Sequence, residues 1–137
     1  MAEWAFVALG SNMGDRQAHL AEARRRVAGL SETEIVATSS VEETDPLGPV
    51  SQGDYLNQMV LLHTALSPRE LLDALLGIEQ TMGRVRAERW GPRIIDLDIV
   101  RFGAREVDEP GLRIPHPELP NRDFWQRELA ELLLRAS

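Results

Sequence analysis

The chain has 137 residues, enough for one domain with a real core, and its 43% hydrophobic and 27% charged residues are ordinary for a globular fold. A net charge of −7 argues against a broad basic face for nucleic acid, no apolar run approaches the ~20 residues that span a bilayer, and the N-terminal MAEWAFVALG lacks the basic start of a signal peptide. The absence of cysteine excludes disulfides and thiolate metal ligands and fits a reducing compartment; a cytoplasmic monomer with small-molecule partners, no nucleic acid and no membrane is expected.

In chain order, apolar residues predict a first strand over Ala5–Leu9, closed by Gly10, Ser11 and Asn12. Asp15 suits the N-cap of a helix reaching Ala28, with Leu20, Ala23, Val27 and Leu30 near one face. A second strand is expected from Ile35 to Glu43. TDPLGPVSQGD must then be a loop, and at eleven residues it is long for a tight hairpin, which hints at function. Asn57–Leu66 reads as a third strand. Ser67, Pro68 and Glu70 make a strong helix start, with Ser at the N-cap, Pro at N1 and Glu at N3 of a capping box. Leu71, Leu72, Leu75, Ile78 and Met82 supply that helix with a buried stripe, and Gly83 stops it. A fourth strand runs from Arg93 or Ile94 through Phe102, ending near Gly103. A last helix begins near Arg122 or Asp123 and uses Phe124, Leu129, Leu132 and Leu133. The order β-α-β-β-α-β with a tail helix predicts an α+β, ferredoxin-like sandwich with an antiparallel sheet. Helices would cover one sheet face and leave the other free for a site.

The chemistry concentrates in ERWGPRIIDLDIV, Glu88 to Val100. Strand alternation puts Asp96 and Asp98 on one face and turns Ile95, Leu97 and Ile99 the other way, toward the helices. At ~3.3 Å per residue the aspartate backbones stand roughly 6–7 Å apart. Two like charges so close suit a hard cation: Mg²⁺ takes oxygen ligands, typically one or two carboxylates plus substrate phosphates. An edge-strand pair facing water, or ion-paired to nearby arginines, is the competing reading, and spacing does not choose between them. Residues 84–93 hold Arg84, Arg86, Arg89 and Arg93 against Glu88, a net +3 that leaves −10 on the rest, and all fifteen basic residues are arginine. Arginine forks two donors onto phosphate oxygens and keeps its charge, so beside a metal-binding pair this patch points to a nucleotide. Gly91 and Pro92 shape the approach, and Trp90 offers an indole. LGSNMGD lacks the Gly-Lys-Ser/Thr of a Walker A loop, so any ATP is held without one. His116, in the proline-fenced IPHPELPNR, is either incidental or, with Arg122 close behind, a phosphate contact. Tyr55 and Asn57 share a side. With Phe124 they either stack a planar ligand whose ring edge Asn57 reads, or serve as core and turn residues.

Taken together, ALGSNMGD, ETDPLGPVSQGDYLNQMV, GRVRAERWGPRIIDLDIV and IPHPELPNR resemble the 6-hydroxymethyl-7,8-dihydropterin pyrophosphokinase family of folate biosynthesis, in order from residue 8 to residue 124. The RWGPRxxDLDI run carries most of that specificity. The resemblance implies transfer of the β,γ-pyrophosphoryl group of ATP to the pterin hydroxymethyl, with release of AMP. It implies that Asp96 and Asp98 bind two Mg²⁺ ions, and that Arg84 and Arg93 act with them as catalytic residues by stabilising the transferring group. Glu79, Arg86, Trp90, Arg93, Ile99, His116 and Arg122 would hold the nucleotide. The pterin would lie between Tyr55 and Phe124, its polar edge read by Asn57 and by groups around Thr44, Pro46 and Leu47. Three loops, near Asn12–Arg16, Asp45–Asp54 and Arg84–Arg93, would close over the substrates. The chain also departs from the family pattern. Leu76 stands where some members have a nucleotide-side Gln, Gly111 where an Arg is expected (Arg113 is near), and Pro117 where an aromatic can follow the histidine. RVRAERW is one residue short, and WQRELAELLLRAS replaces a longer, proline-containing tail. The main rival reading is a ferredoxin-like RNA binder. Such modules stack bases on aromatics from central strands, where this chain offers carboxylates.

Overall fold

The computed structural model describes residues 2–45, 53–83 and 94–136. Pro46, Leu47, Arg84, Arg86, Trp90 and Arg93 lie outside the described residues, as does the rest of the arginine-rich segment. The elements are β1 (Glu3–Ser11), α1 (Arg16–Ala28), β2 (Thr33–Thr38), β3 (Glu42–Thr44), β4 (Tyr55–Thr64), α2 (Pro68–Thr81), β5 (Asp96–Phe102), β6 (Val107–Glu109), β7 (Leu112–Ile114) and α3 (Asp123–Arg135). The main sheet runs β2-β4-β1-β5, with β3 also pairing β4, and every pairing is antiparallel. This is the expected ferredoxin-like arrangement, α+β with a C-terminal helix. Among the described residues no helix is long and apolar enough to cross a membrane.

Local chemistry starts and stops the first two helices as predicted. The Asp15 carboxylate accepts the Ala18 N–H at 3.1 Å. At α2 the Ser67 hydroxyl accepts the Glu70 N–H at 3.1 Å while Glu70 accepts the Ser67 N–H at 2.8 Å, which closes the capping box. Gly83 ends α2 at φ +86°, a left-handed conformation that glycine takes without strain.

β1 is apolar on both faces because both are covered. Ala5, Val7 and Leu9 pack with Leu62, Leu71, Leu75 and Ile99 in the core beneath α1 and α2. Phe6 and Ala8 pack on the opposite face with Met59, Leu61, Val100, Trp125, Leu129 and Leu132. The second sheet face was expected to be free; instead α3 occupies part of it. The buried positions of α3 are Trp125, Glu128, Leu129 and Leu132. Leu133, expected on that face, is 52% exposed because it sits about 100° round the helix from Leu132.

The expected strand Ile35–Glu43 is two strands. The β2 register shifts between Ile35 and Ala37, and Ser39 then takes the chain out of the ladder. Ser39 N–H still donates to the Met59 carbonyl, while its hydroxyl accepts the Met59 N–H. Another bulge, in the β1–β5 pairing, leaves Val100 as the extra residue and returns Phe102 to the helix-covered core. The β6–β7 hairpin was not anticipated. It turns at Pro110-Gly111, with Gly111 at φ +75°, buries Leu112 and Ile114, and delivers the chain to His116.

Candidate active site

The strand register brings Thr44, Tyr55, Asn57, Asp96 and Asp98 of the predicted residues to one face. Gly10 of β1 pairs with Asn57 of β4 on one side and Asp96 of β5 on the other; Ala8 likewise pairs with Met59 and Asp98. Directly opposed residues project to the same side of a sheet, so Asn57, Gly10 and Asp96 form one row and Met59, Ala8 and Asp98 the next. Glu42 of β3 extends the first row beyond Asn57, and Thr44 stands opposite Tyr55. The two centre positions are the smallest residues available. In the Gly10 row this leaves a trough between Asn57 and Asp96, two strand spacings or roughly 9–10 Å apart, while Ala8 and Met59 of the second row are buried under α3.

The β4 side of that trough is locked in place. Asn57, 6% exposed, donates through Nδ2 to the Thr44 hydroxyl. A Cβ added to Gly10 would stand 3.2 Å from Asn57 Oδ1 and 3.4 Å from the Tyr55 ring, so these groups occupy the space a side chain there would fill. The turn before α1 holds the chain that enters β4. Asn12 donates to the Gly53 carbonyl at 3.2 Å, and Arg16 donates to the Asp54 carbonyl at 2.8 Å and pairs with Glu43 at 2.8 Å.

On the β5 side, Asp96 and Asp98 are half-buried and open to the trough, while Leu97 and Ile99 are buried under the helices. His116 faces Asp98, with Nε2 3.6 Å from Oδ1. Its Nδ1 accepts the Glu118 N–H at 3.0 Å, which puts the proton of the neutral ring on Nε2, toward the aspartate. Trp125 meets the His116 ring edge-on at 4.9 Å, and the Arg122 guanidinium lies over the indole at 4.4 Å. Phe124 contacts the same indole at 6.3 Å and flanks the core under α3. Among the described residues Arg122 Nε is buried without a hydrogen-bond partner, which suits a cation awaiting an anionic ligand.

A pocket of about 250 Å³ opens beside Asp98, walled by Leu72, Leu97, Ile99 and Leu112 with Arg113 and His116 at its polar side. Ile99 thus reaches the site through this pocket. Gly111 and Pro117, the positions that depart from the family pattern, line it too. Leu72 and Leu112 were missed as site residues because a leucine on a helix or strand gives no sign of which cavity it borders. Trp125 was missed because it falls in the divergent tail. Its rarity as one of three tryptophans was the available signal.

Glu79 is not on this face. It lies on α2, 5% exposed, and its carboxylate accepts the Leu97 N–H at 2.7 Å. Among the described residues no three His, Asp or Glu gather as a metal cage. Two half-open carboxylates on one face instead fit a cation that completes its shell with water and phosphate oxygens, as Mg²⁺ does.

Comparison with known proteins gives the family. Residues 6–134 match the family described as 7,8-dihydro-6-hydroxymethylpterin-pyrophosphokinase (HPPK). The chain is 43% identical over 132 residues to the 2-amino-4-hydroxy-6-hydroxymethyldihydropteridine pyrophosphokinase of Pseudomonas aeruginosa, covering 96% of this chain and 82% of that one. It is 44% identical over 120 residues to the protein of that name from Haemophilus influenzae, covering 88% and 75%. For the Bacillus subtilis protein the figures are 41% over 128 residues, covering 93% and 77%.

Proposed function

The chain belongs to the 7,8-dihydro-6-hydroxymethylpterin pyrophosphokinase family, and on that premise we propose that it transfers the β,γ-pyrophosphoryl group of ATP, with Mg²⁺, to 6-hydroxymethyl-7,8-dihydropterin in folate biosynthesis. The products are the pterin diphosphate and AMP. The observation that carries the reading is the shared sheet face. Asp96 and Asp98 stand on its β5 side, with the His116 pocket at the β5 edge, and Tyr55 and Asn57 stand on its β4 side, with Gly10 between.

The substrate hydroxyl oxygen bonds to the β-phosphorus while the bond from that phosphorus to the α,β-bridging oxygen breaks. The bridging oxygen leaves with AMP, and the hydroxyl proton passes to solvent. Such transfer needs alignment and charge stabilisation more than a protein nucleophile. Asp96 and Asp98 would hold two Mg²⁺ ions, whose charge offsets that of the phosphates and favours the ionised hydroxyl. His116 offers its Nε2–H to a phosphate oxygen or to Asp98, and Arg122, propped on Trp125, offers its guanidinium. Ile99, with Leu72 and Leu112, packs the apolar part of the nucleotide. Tyr55 and Phe124 flank the pterin ring, while Asn57 presents Oδ1 to its polar edge and Thr44 fixes the amide. Arg84, Arg86, Trp90 and Arg93 would supply further contacts to the triphosphate, and Pro46 and Leu47 to the pterin. The working form is a cytoplasmic monomer.

Asp98→Ala tests this assignment. Turnover falls about 100-fold or more, because charge stabilisation by a metal is worth several kcal/mol, while circular dichroism and thermal unfolding show the fold intact. Near-full activity in that variant overturns the metal assignment.

A further inference from the structure

Glu79 reaches the aspartates from behind. It stands on the inner side of α2 with Leu75 and Ile78, and the amide it holds belongs to Leu97, the residue between Asp96 and Asp98. Among the described residues β5 is the last strand on its side of the sheet. Backbone groups of an antiparallel strand turn alternately toward and away from the neighbour. The amide that meets Glu79 is therefore one that β1 cannot take, and those of Asp96 and Asp98 turn toward Gly10 and Ala8. An edge amide is ordinarily left to water. Here a buried carboxyl oxygen accepts it instead, at 2.7 Å.

We propose that Glu79 is a positioning residue for the metal pair. By accepting the Leu97 N–H it fixes the peptide that joins the two aspartates, so that both carboxylates keep their spacing on the opposite face. This role differs from the nucleotide contact that the family resemblance gives Glu79, and it rests on the reading of Asp96 and Asp98 as metal ligands. Groups that orient a ligand from behind typically change metal affinity by about 10–100-fold when removed.

The test is a titration of the ¹⁵N-labelled full chain with Mn²⁺ alone, following paramagnetic broadening of its amide signals, with hydrogen exchange of Leu97 measured on metal-free samples. Broadening centres on residues 96–98 in the parent chain and disappears in Asp98→Ala. Glu79→Ala weakens Mn²⁺ about tenfold or more and speeds Leu97 exchange, whereas Glu79→Gln, whose amide oxygen still accepts, keeps Mn²⁺ affinity within about threefold. Glu79→Gln is nearly isosteric and carries the test alone if Glu79→Ala does not fold. The proposal is overturned if Leu97 exchanges fast in Glu79→Ala while Mn²⁺ affinity is unchanged. It is also overturned if Glu79→Gln loses Mn²⁺ while Leu97 stays protected, since charge and not the hydrogen bond would then be at work. Unchanged broadening in Asp98→Ala removes the metal pair itself, a result distinct from both.

Discussion

Gly10 sits mid-row between Asn57 and Asp96, where the side-chain amide of one neighbour and the ring of another lean over it. Asn57 cannot simply retreat from an added methyl group, because Thr44 holds its Nδ2 from the far side. Gly10→Ala therefore displaces Asn57 or Tyr55, the residues assigned to the pterin. Steady-state kinetics with each substrate varied in turn should show the pterin KM raised roughly tenfold and the ATP KM little changed. An unaltered pterin KM would remove Gly10 from the account. None of this was legible in the sequence, where Gly10 read as the end of a strand. The worth of a missing side chain depends on cross-strand partners more than forty positions away. Asp96 and Asp98 were legible because two-residue alternation is local. Their partner His116 was only half legible: a proline-fenced loop marks a fixed histidine without saying what it faces.

The docking of α3 depends on a buried acid. Glu128, 1% exposed, lies one turn beyond Phe124 and packs against Glu42 of β3. Among the described residues neither Glu128 oxygen nor Glu42 Oε2 finds an N–H or O–H donor. A proton on Glu128 supplies the missing one. Burial, and then the hydrogen bond and charge of Glu42, push the Glu128 carboxyl up to about 9; Arg127 opposes the shift and Glu131 adds to it. The folded pKa is raised above the ordinary 4.5, so the stability this group contributes is full below that value and is lost as pH rises through about 9. Glu128→Gln keeps a donor toward Glu42 and cannot ionise. Its thermal midpoint should match the parent near pH 5 and exceed it by several degrees at pH 8; equal midpoints at both pH values would show that Glu128 is not a buried acid. Hydropathy gave no hint of this, since it favours Leu133 over a glutamate for the inner face. The caps of α1 and α2 were read almost to the residue because a cap is chemistry within four positions. The break between β2 and β3 was not, because Ser39 bonds to Met59, which only the fold brings near.

At the scale of the whole molecule, the sheet is a partition. α1 and α2 bury one face, α3 covers part of the other, and the uncovered end carries the trough from Tyr55 and Asn57 to Asp96 and Asp98. Two ligands approaching from opposite sides of β1 would meet above Gly10, which suits group transfer between them. The β-α-β-β-α-β order was readable from periodicity and turn residues. The partial cover by α3 was not, because it depends on how a tail helix packs against strands distant in sequence. Transfer of the β,γ-pyrophosphoryl group breaks ATP between its α- and β-phosphorus atoms. The most direct measurement is ³¹P NMR of the protein with Mg²⁺, ATP and 6-hydroxymethyl-7,8-dihydropterin. AMP and pterin diphosphate should form in equal amounts; ADP with a pterin monophosphate would contradict pyrophosphoryl transfer.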